Sequence, residues 1–62
     1  MFDTDPILDE VEAFLAMSGM AASVLGTKAL RDPSLVLDLR RGRELKLRTR
    51  ARVRAYIDSE TA

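Results

Sequence analysis

The dipeptide Asp-Pro occurs twice, at Asp5-Pro6 and at Asp32-Pro33, and each copy is typical of the start of a helix. An aspartate caps a helix because its carboxylate accepts hydrogen bonds from the free amides of the first turn. A proline suits the first helical position, where its missing N–H has no helical partner to lose. Each copy is followed, at a suitable distance, by a glycine able to end the helix: Gly19 and Gly42. The sequence therefore predicts helices over about 6–18 and 33–41.

Apolar spacing supports these helices and indicates which faces are buried. In the first helix one face carries Ile7, Val11, Phe14 and Leu15, with Leu8 beside them. A second helix is predicted over about 21–30, and Met17 and Met20, on either side of the first connection, are expected to fill the core. An interior glycine costs a helix about 1 kcal/mol relative to alanine. Gly26 therefore indicates a close crossing with the next helix.

In the third helix, Val36 and Leu39 are three residues apart and are expected to face inward. The remaining side chains are then expected to lie wholly or partly outward: Ser34, Leu35, Leu37, Asp38 and Arg41.

The segment from Leu45 to Ala55 fits two structures. Its odd positions are apolar or small and its even positions are basic, an alternation typical of a strand. A single unpaired strand in a helical chain would be an exposed edge, and no turn residues supply a hairpin partner. We therefore expect a helix over about 48–58, with Val53, Tyr56 and Ile57 facing inward. The fold class predicted is all-α: one compact four-helix bundle spanning residues 1–62.

Length and composition exclude several classes of protein. A chain of 62 residues can bury only a small core. It contains no histidine and no cysteine, so the usual neutral-pH base, a thiolate nucleophile and a zinc finger are all missing. We expect no enzyme activity, no cofactor and no metal. Because the N-terminus is acidic and lacks an apolar stretch, we expect a cytoplasmic protein without a membrane partner.

The net charge of zero is a sum of two opposite halves. Residues 1–27 carry five acids and no base, and residues 28–62 carry ten bases and five acids. Between Arg40 and Arg54, eight bases accompany Glu44 as the single acid. Such a run favours a polyanionic partner, because each phosphate that it neutralises releases counterions. We expect the basic half to contact phosphate and the acidic helix to face away from it.

A short helix, a tight connection and a capped third helix follow one another in the layout of a helix-turn-helix. In this layout the chain resembles the Cro-like, phage-repressor type of DNA-binding domain over about residues 7–57. The matching positions are Met20 at the opening of the second helix, Leu25-Gly26 within it, Val36 and Leu39 in the third, Arg41-Gly42-Arg43 at its end, and Thr49 to Ile57 in the next helix. The chain departs from the family at Leu30, where the turn usually has glycine, at Ala21-Ala22, where a Thr-Gln pair is common, and in showing no fifth helix.

The resemblance implies a small bacterial or phage transcriptional regulator that binds double-stranded DNA and is associated with the nucleoid. Its third helix would lie in the major groove, and the flanking Arg/Lys segment would contact phosphate. The residues implied at the interface are Ser34, Leu35, Leu37, Asp38, Arg40, Arg41, Arg43, Lys46 and Arg48. A homodimer would suit a chain of this size, because it would add stability and double the contact with DNA.

A second hypothesis comes from another class of function. The same fold could serve as an adaptor or antitoxin-like module that binds a protein, for example in the transcription machinery. Leu35 and Leu37, as outward leucines, and the two oppositely charged halves favour it.

Overall fold

The computed structural model describes residues 5–62, which form four helices connected by short segments. They are α1 (Ile7–Ser18), α2 (Ala22–Leu30), α3 (Leu35–Arg40) and α4 (Leu47–Thr61). The all-α prediction is confirmed, and the segment after Leu45 is helical rather than a strand. The third helix is shorter than expected, and the fourth continues three residues further. Of the five N-terminal acids, Asp3 lies outside the described residues.

The two Asp-Pro starts share the same hydrogen bond. Asp5 Oδ1 accepts from the Ile7 amide at 3.1 Å, and Asp32 Oδ1 accepts from the Ser34 amide at 3.1 Å. In both cases the carboxylate accepts from the amide two residues later, which is the hydrogen bond of an Asx turn. At Asp32 a turn through Pro33 and Ser34 precedes the helix, which is why α3 begins at Leu35.

The close crossing predicted at Gly26 is present. A Cβ built on Gly26 would collide with the carbonyl oxygen of Asp32 and would lie 3.1 Å from Leu35 Cβ. The turn between α2 and α3 takes its left-handed residue at Arg31 (φ 56°), one position after Leu30. Glycine is therefore required inside α2, where the backbone of the next segment approaches, rather than in the turn.

The core lies between all four helices, and within residues 5–62 it contains ten buried apolar side chains: Ile7, Val11, Phe14, Leu25, Leu35, Val36, Leu39, Leu45, Val53 and Ile57. Tyr56 packs at its edge, with its ring edge-on to Phe14 at 6.2 Å and its hydroxyl 3.8 Å from Met20 Sδ. The core role expected of Met20 is thus confirmed in part. The core role expected of Met17 is wrong, because it lies near the end of α1 with 75% of its surface exposed.

α1 contacts both α3 and α4, and α2 contacts the same two helices. The radius of gyration of 10.6 Å equals the value of about 10.6 Å expected for a compact chain of this length. Among residues 5–62, no single helix is long and apolar enough to cross a membrane. Taken together, α1 and α2 have the length and composition of a membrane span, but the chain bends by 118° between them.

Candidate nucleic-acid interface

The outward face of α3 is the surface on which the sequence predicts contact with DNA. Leu37 is 47% exposed, and Arg41 follows it one turn later, with its amide donating to the Leu37 carbonyl at 3.2 Å. Ser34 and Arg40 are also exposed, whereas Asp38 is half-buried. Because Leu37 and Arg41 are four residues apart, their side chains project from the same side of the helix.

Leu35 does not belong to this surface, and its predicted outward position is wrong. It is fully buried, together with Val36 and Leu39. Its Cβ packs where Gly26 of α2 leaves room. The three buried positions of α3 therefore cover a wider arc than Val36 and Leu39 alone would define.

A polar cluster occupies the start of α3. Arg43 Nη1 lies 2.8 Å from Asp32 Oδ2 and 3.3 Å from Asp38 Oδ2. The Ser34 hydroxyl lies between the same two carboxylates, 2.8 Å from Asp32 Oδ1 and 3.2 Å from Asp38 Oδ2. Arg43 and the Ser34 hydroxyl together hold the pKa of Asp32 below its usual range. Two carboxylates share one guanidinium, so the cluster carries a net negative charge.

Two further arginines of the basic run form ion pairs with α1. Arg40 donates to both carboxylate oxygens of Glu12, at 2.9 and 2.6 Å, and Arg54 donates to both oxygens of Glu10, at 3.2 and 2.6 Å. The guanidinium beside each glutamate lowers the pKa of that carboxyl. All four side chains are more than 40% exposed, so solvent screens these pairs and they contribute little to stability.

A fourth arginine, Arg50, whose side chain is 28% exposed, pairs with Asp5, the buried carboxylate among residues 5–62. Its guanidinium donates to Asp5 Oδ1 at 2.9 Å and Oδ2 at 2.8 Å, and the Leu45 amide also donates to Oδ2 at 2.8 Å. Asp5 is only 1% exposed. Its carboxylate therefore fastens the segment between α3 and α4, which carries Arg43 and Lys46, to the start of α1.

The basic run is thus divided into two sets. Arg40, Arg43, Arg50 and Arg54 are held by carboxylates of the same chain. The other four cations have no carboxylate oxygen within 4 Å among the described residues: Arg41, Lys46, Arg48 and Arg52. These four, which we call the unpaired cations, are all exposed. They are the cations available to an external anion at no cost in internal pairing.

Of the predicted interface residues, the structure leaves Leu37, Arg41, Lys46 and Arg48 exposed without a side-chain partner in the described part of the chain. It engages Ser34, Asp38, Arg40 and Arg43 with other side chains, and it buries Leu35. Arg52 was not among the predicted residues. Its spacing of four from Arg48 on a basic helix is the signal that identifies it.

The acidic helix α1 is in direct contact with the basic half of the chain. Glu10 and Glu12 flank the buried face of α1, and each reaches across to an arginine of another helix. The opposite charges of the two halves therefore serve partly to hold α1 against α3 and α4. The surface charge available to a partner is smaller than the sequence indicates.

Within the described range 5–62, no three His, Cys, Asp or Glu side chains are placed to hold a metal ion. Comparisons of the chain with protein-family models, with curated proteins and with solved structures give no match.

Proposed function

We propose that this protein is a small DNA-binding transcriptional regulator that places α3 in the major groove of double-stranded DNA. The observation that carries the proposal is the pair Leu37 and Arg41, exposed on one side of α3 and followed by Lys46, Arg48 and Arg52. An exposed helix continued by unpaired cations fits a groove bordered by phosphates. A protein acting in this way is expected in the nucleoid.

The contacts divide into two kinds. Lys46, Arg48 and Arg52 are proposed to neutralise phosphates, which provides affinity without sequence information. Leu37 and Arg41 are proposed to lie against base edges. Arg40 and Arg43, by contrast, would have to leave carboxylates of their own chain before they could bind phosphate.

A matched pair of variants tests the proposal. Arg52 and Arg54 are the same residue type on the same helix, but only Arg54 is ion-paired, with Glu10. If the unpaired cations contact phosphate, Arg52→Ala should weaken binding to a fluorescent duplex. It should also reduce, by about 1, the magnitude of the slope of log affinity against log salt concentration (the salt slope). Arg54→Ala should leave the slope nearly unchanged. Equal slopes for the two variants and the wild type would place the DNA elsewhere on the surface.

A second candidate function, binding to a protein partner, is favoured by the exposed apolar side chains. Leu47, Met17, Leu37 and Val24 expose 79%, 75%, 47% and 40% of their surfaces. The adaptor hypothesis predicts that a purified partner binds the wild type but not Leu37→Arg, while no duplex is bound at low salt. Leu37 is exposed in α3, so the substitution should leave the fold intact, as circular dichroism would check.

A further inference from the structure

Resting on the proposed function, we infer that the base-reading surface consists of Leu37 and Arg41, and that it selects a guanine and a thymine close together in the target duplex. Within residues 34–41 these two exposed side chains are the ones without a hydrogen bond or ion pair to another described residue.

The polar residues at the start of α3 are the first to be excluded. The Ser34 hydroxyl lies 3.2 Å from the Asp38 carboxylate; it is also bonded to Asp32, and Asp38 also accepts from Arg43. Using either to bind a base would leave a carboxylate or a guanidinium of the cluster without its present partner. The net negative charge of the cluster also opposes close approach of phosphate at this end of the helix.

Arg40 is already held by α1. Glu12 accepts from its Nε and Nη2 at 2.9 and 2.6 Å. A contact to guanine would have to use the remaining edge of a guanidinium that is fixed against α1, or break the pair with Glu12. Arg41 has both donors available.

The chemistry of the two remaining side chains specifies the ligand. An arginine binds O6 and N7 of guanine with two parallel hydrogen bonds, which is the commonest specific contact in the major groove. A leucine has no polar atom, and the apolar group it meets in that groove is the 5-methyl of thymine. Four residues along a helix span about 6 Å, so the two bases should lie within about two base pairs of each other.

The experiment begins with selection of the preferred duplex from a random pool by the wild-type protein. Affinities are then measured on that duplex, on one with the guanine replaced, and on one with the thymine replaced by uracil, which lacks the methyl group. We expect the guanine change to weaken wild-type binding about 5- to 150-fold. Arg41→Ala should bind the parent and guanine-replaced duplexes equally, and Leu37→Ala should not distinguish thymine from uracil.

Arg48→Ala is the matched control, because it removes an unpaired cation assigned to phosphate and should weaken all three duplexes by the same factor. The inference is overturned, with DNA binding intact, if Arg41→Ala also weakens all duplexes by one common factor. Failure of the wild type to bind any duplex at low salt would instead overturn the proposed function and the inference with it. All three variants, Arg41→Ala, Leu37→Ala and Arg48→Ala, change exposed side chains, and unchanged unfolding midpoints would verify their folds.

Discussion

At the scale of single residues, Asp5 does more than cap a helix. Its carboxylate accepts hydrogen bonds from the Ile7 and Leu45 amides and from two nitrogens of Arg50, while the side chain is out of contact with water. A buried carboxylate is tolerated only when its oxygens are satisfied in this way. Asp5 therefore connects α1, the α3–α4 segment and α4 at one point.

This arrangement predicts a loss of stability in acid. The Arg50 guanidinium and the two backbone amides lower the pKa of Asp5 from 3.8 to about 2. Because the folded pKa is the lower one, the charged form stabilises the fold above pH 3.8, and the stability is lost as the pH falls through 2. The loss should be about 2 kcal/mol, measured by urea unfolding between pH 6 and pH 2.

The exposed pair of Glu12 and Arg40 supplies the control for this prediction. Glu12→Gln should change little in how the free energy of unfolding depends on pH, because an exposed pair contributes little to stability. Direct titration of the Asp5 carboxyl by NMR identifies the group responsible. A midpoint near its ordinary value of 3.8 would show that the buried pair is not formed.

At the scale of elements, the junction of α2 and α3 depends on the absence of a side chain at Gly26. The Asp32 carbonyl and the Leu35 Cβ occupy the space that a Cβ would need. Alanine should favour an isolated helix by about 1 kcal/mol over glycine. At this position the steric conflict with backbone atoms should exceed that gain.

Gly26→Ala is therefore expected to destabilise the protein by about 1–3 kcal/mol, the range for overpacking a tight site. For a domain of this size the unfolding temperature should fall by about 5–20 °C. Ser23→Ala, an exposed change in the same helix, should leave it nearly unchanged. An increase in the unfolding temperature of Gly26→Ala would show that α2 and the Asp32 turn do not approach each other closely.

The elements themselves could be predicted from sequence because their signals are local. The capping carboxylates of Asp5 and Asp32 act on amides two residues away, and Gly19 adopts a left-handed conformation immediately after α1. Leu35 could not be assigned in this way. A helix of six residues has fewer than two turns, so the apolar spacing does not define how wide its buried arc is.

Across the whole molecule, acids of the N-terminal half and arginines of the C-terminal half, separated along the chain, partly neutralise each other once the helices pack together. Glu12 and Arg40 are 28 residues apart, and Glu10 and Arg54 are 44 apart. Pairs at such separations follow from the packing of α1 against α3 and α4, which no local pattern encodes. The candidate interface could be located from sequence, but the division between paired and unpaired arginines could not.

The unpaired cations Arg41, Lys46, Arg48 and Arg52 are proposed to bind DNA, Arg41 at a base and the other three at phosphates. The salt dependence of duplex binding, measured per bound chain once ultracentrifugation has given the association state, distinguishes this arrangement from contact by the whole basic run. The three phosphate contacts assigned to Lys46, Arg48 and Arg52 predict a slope of log affinity against log salt concentration of about −2.7, and about a fortyfold loss of affinity between 50 and 200 mM salt. A loss near ten-thousandfold would mean that all eight cations of the basic run take part. An affinity that does not change with salt concentration, or no binding at 50 mM salt, would contradict this proposal.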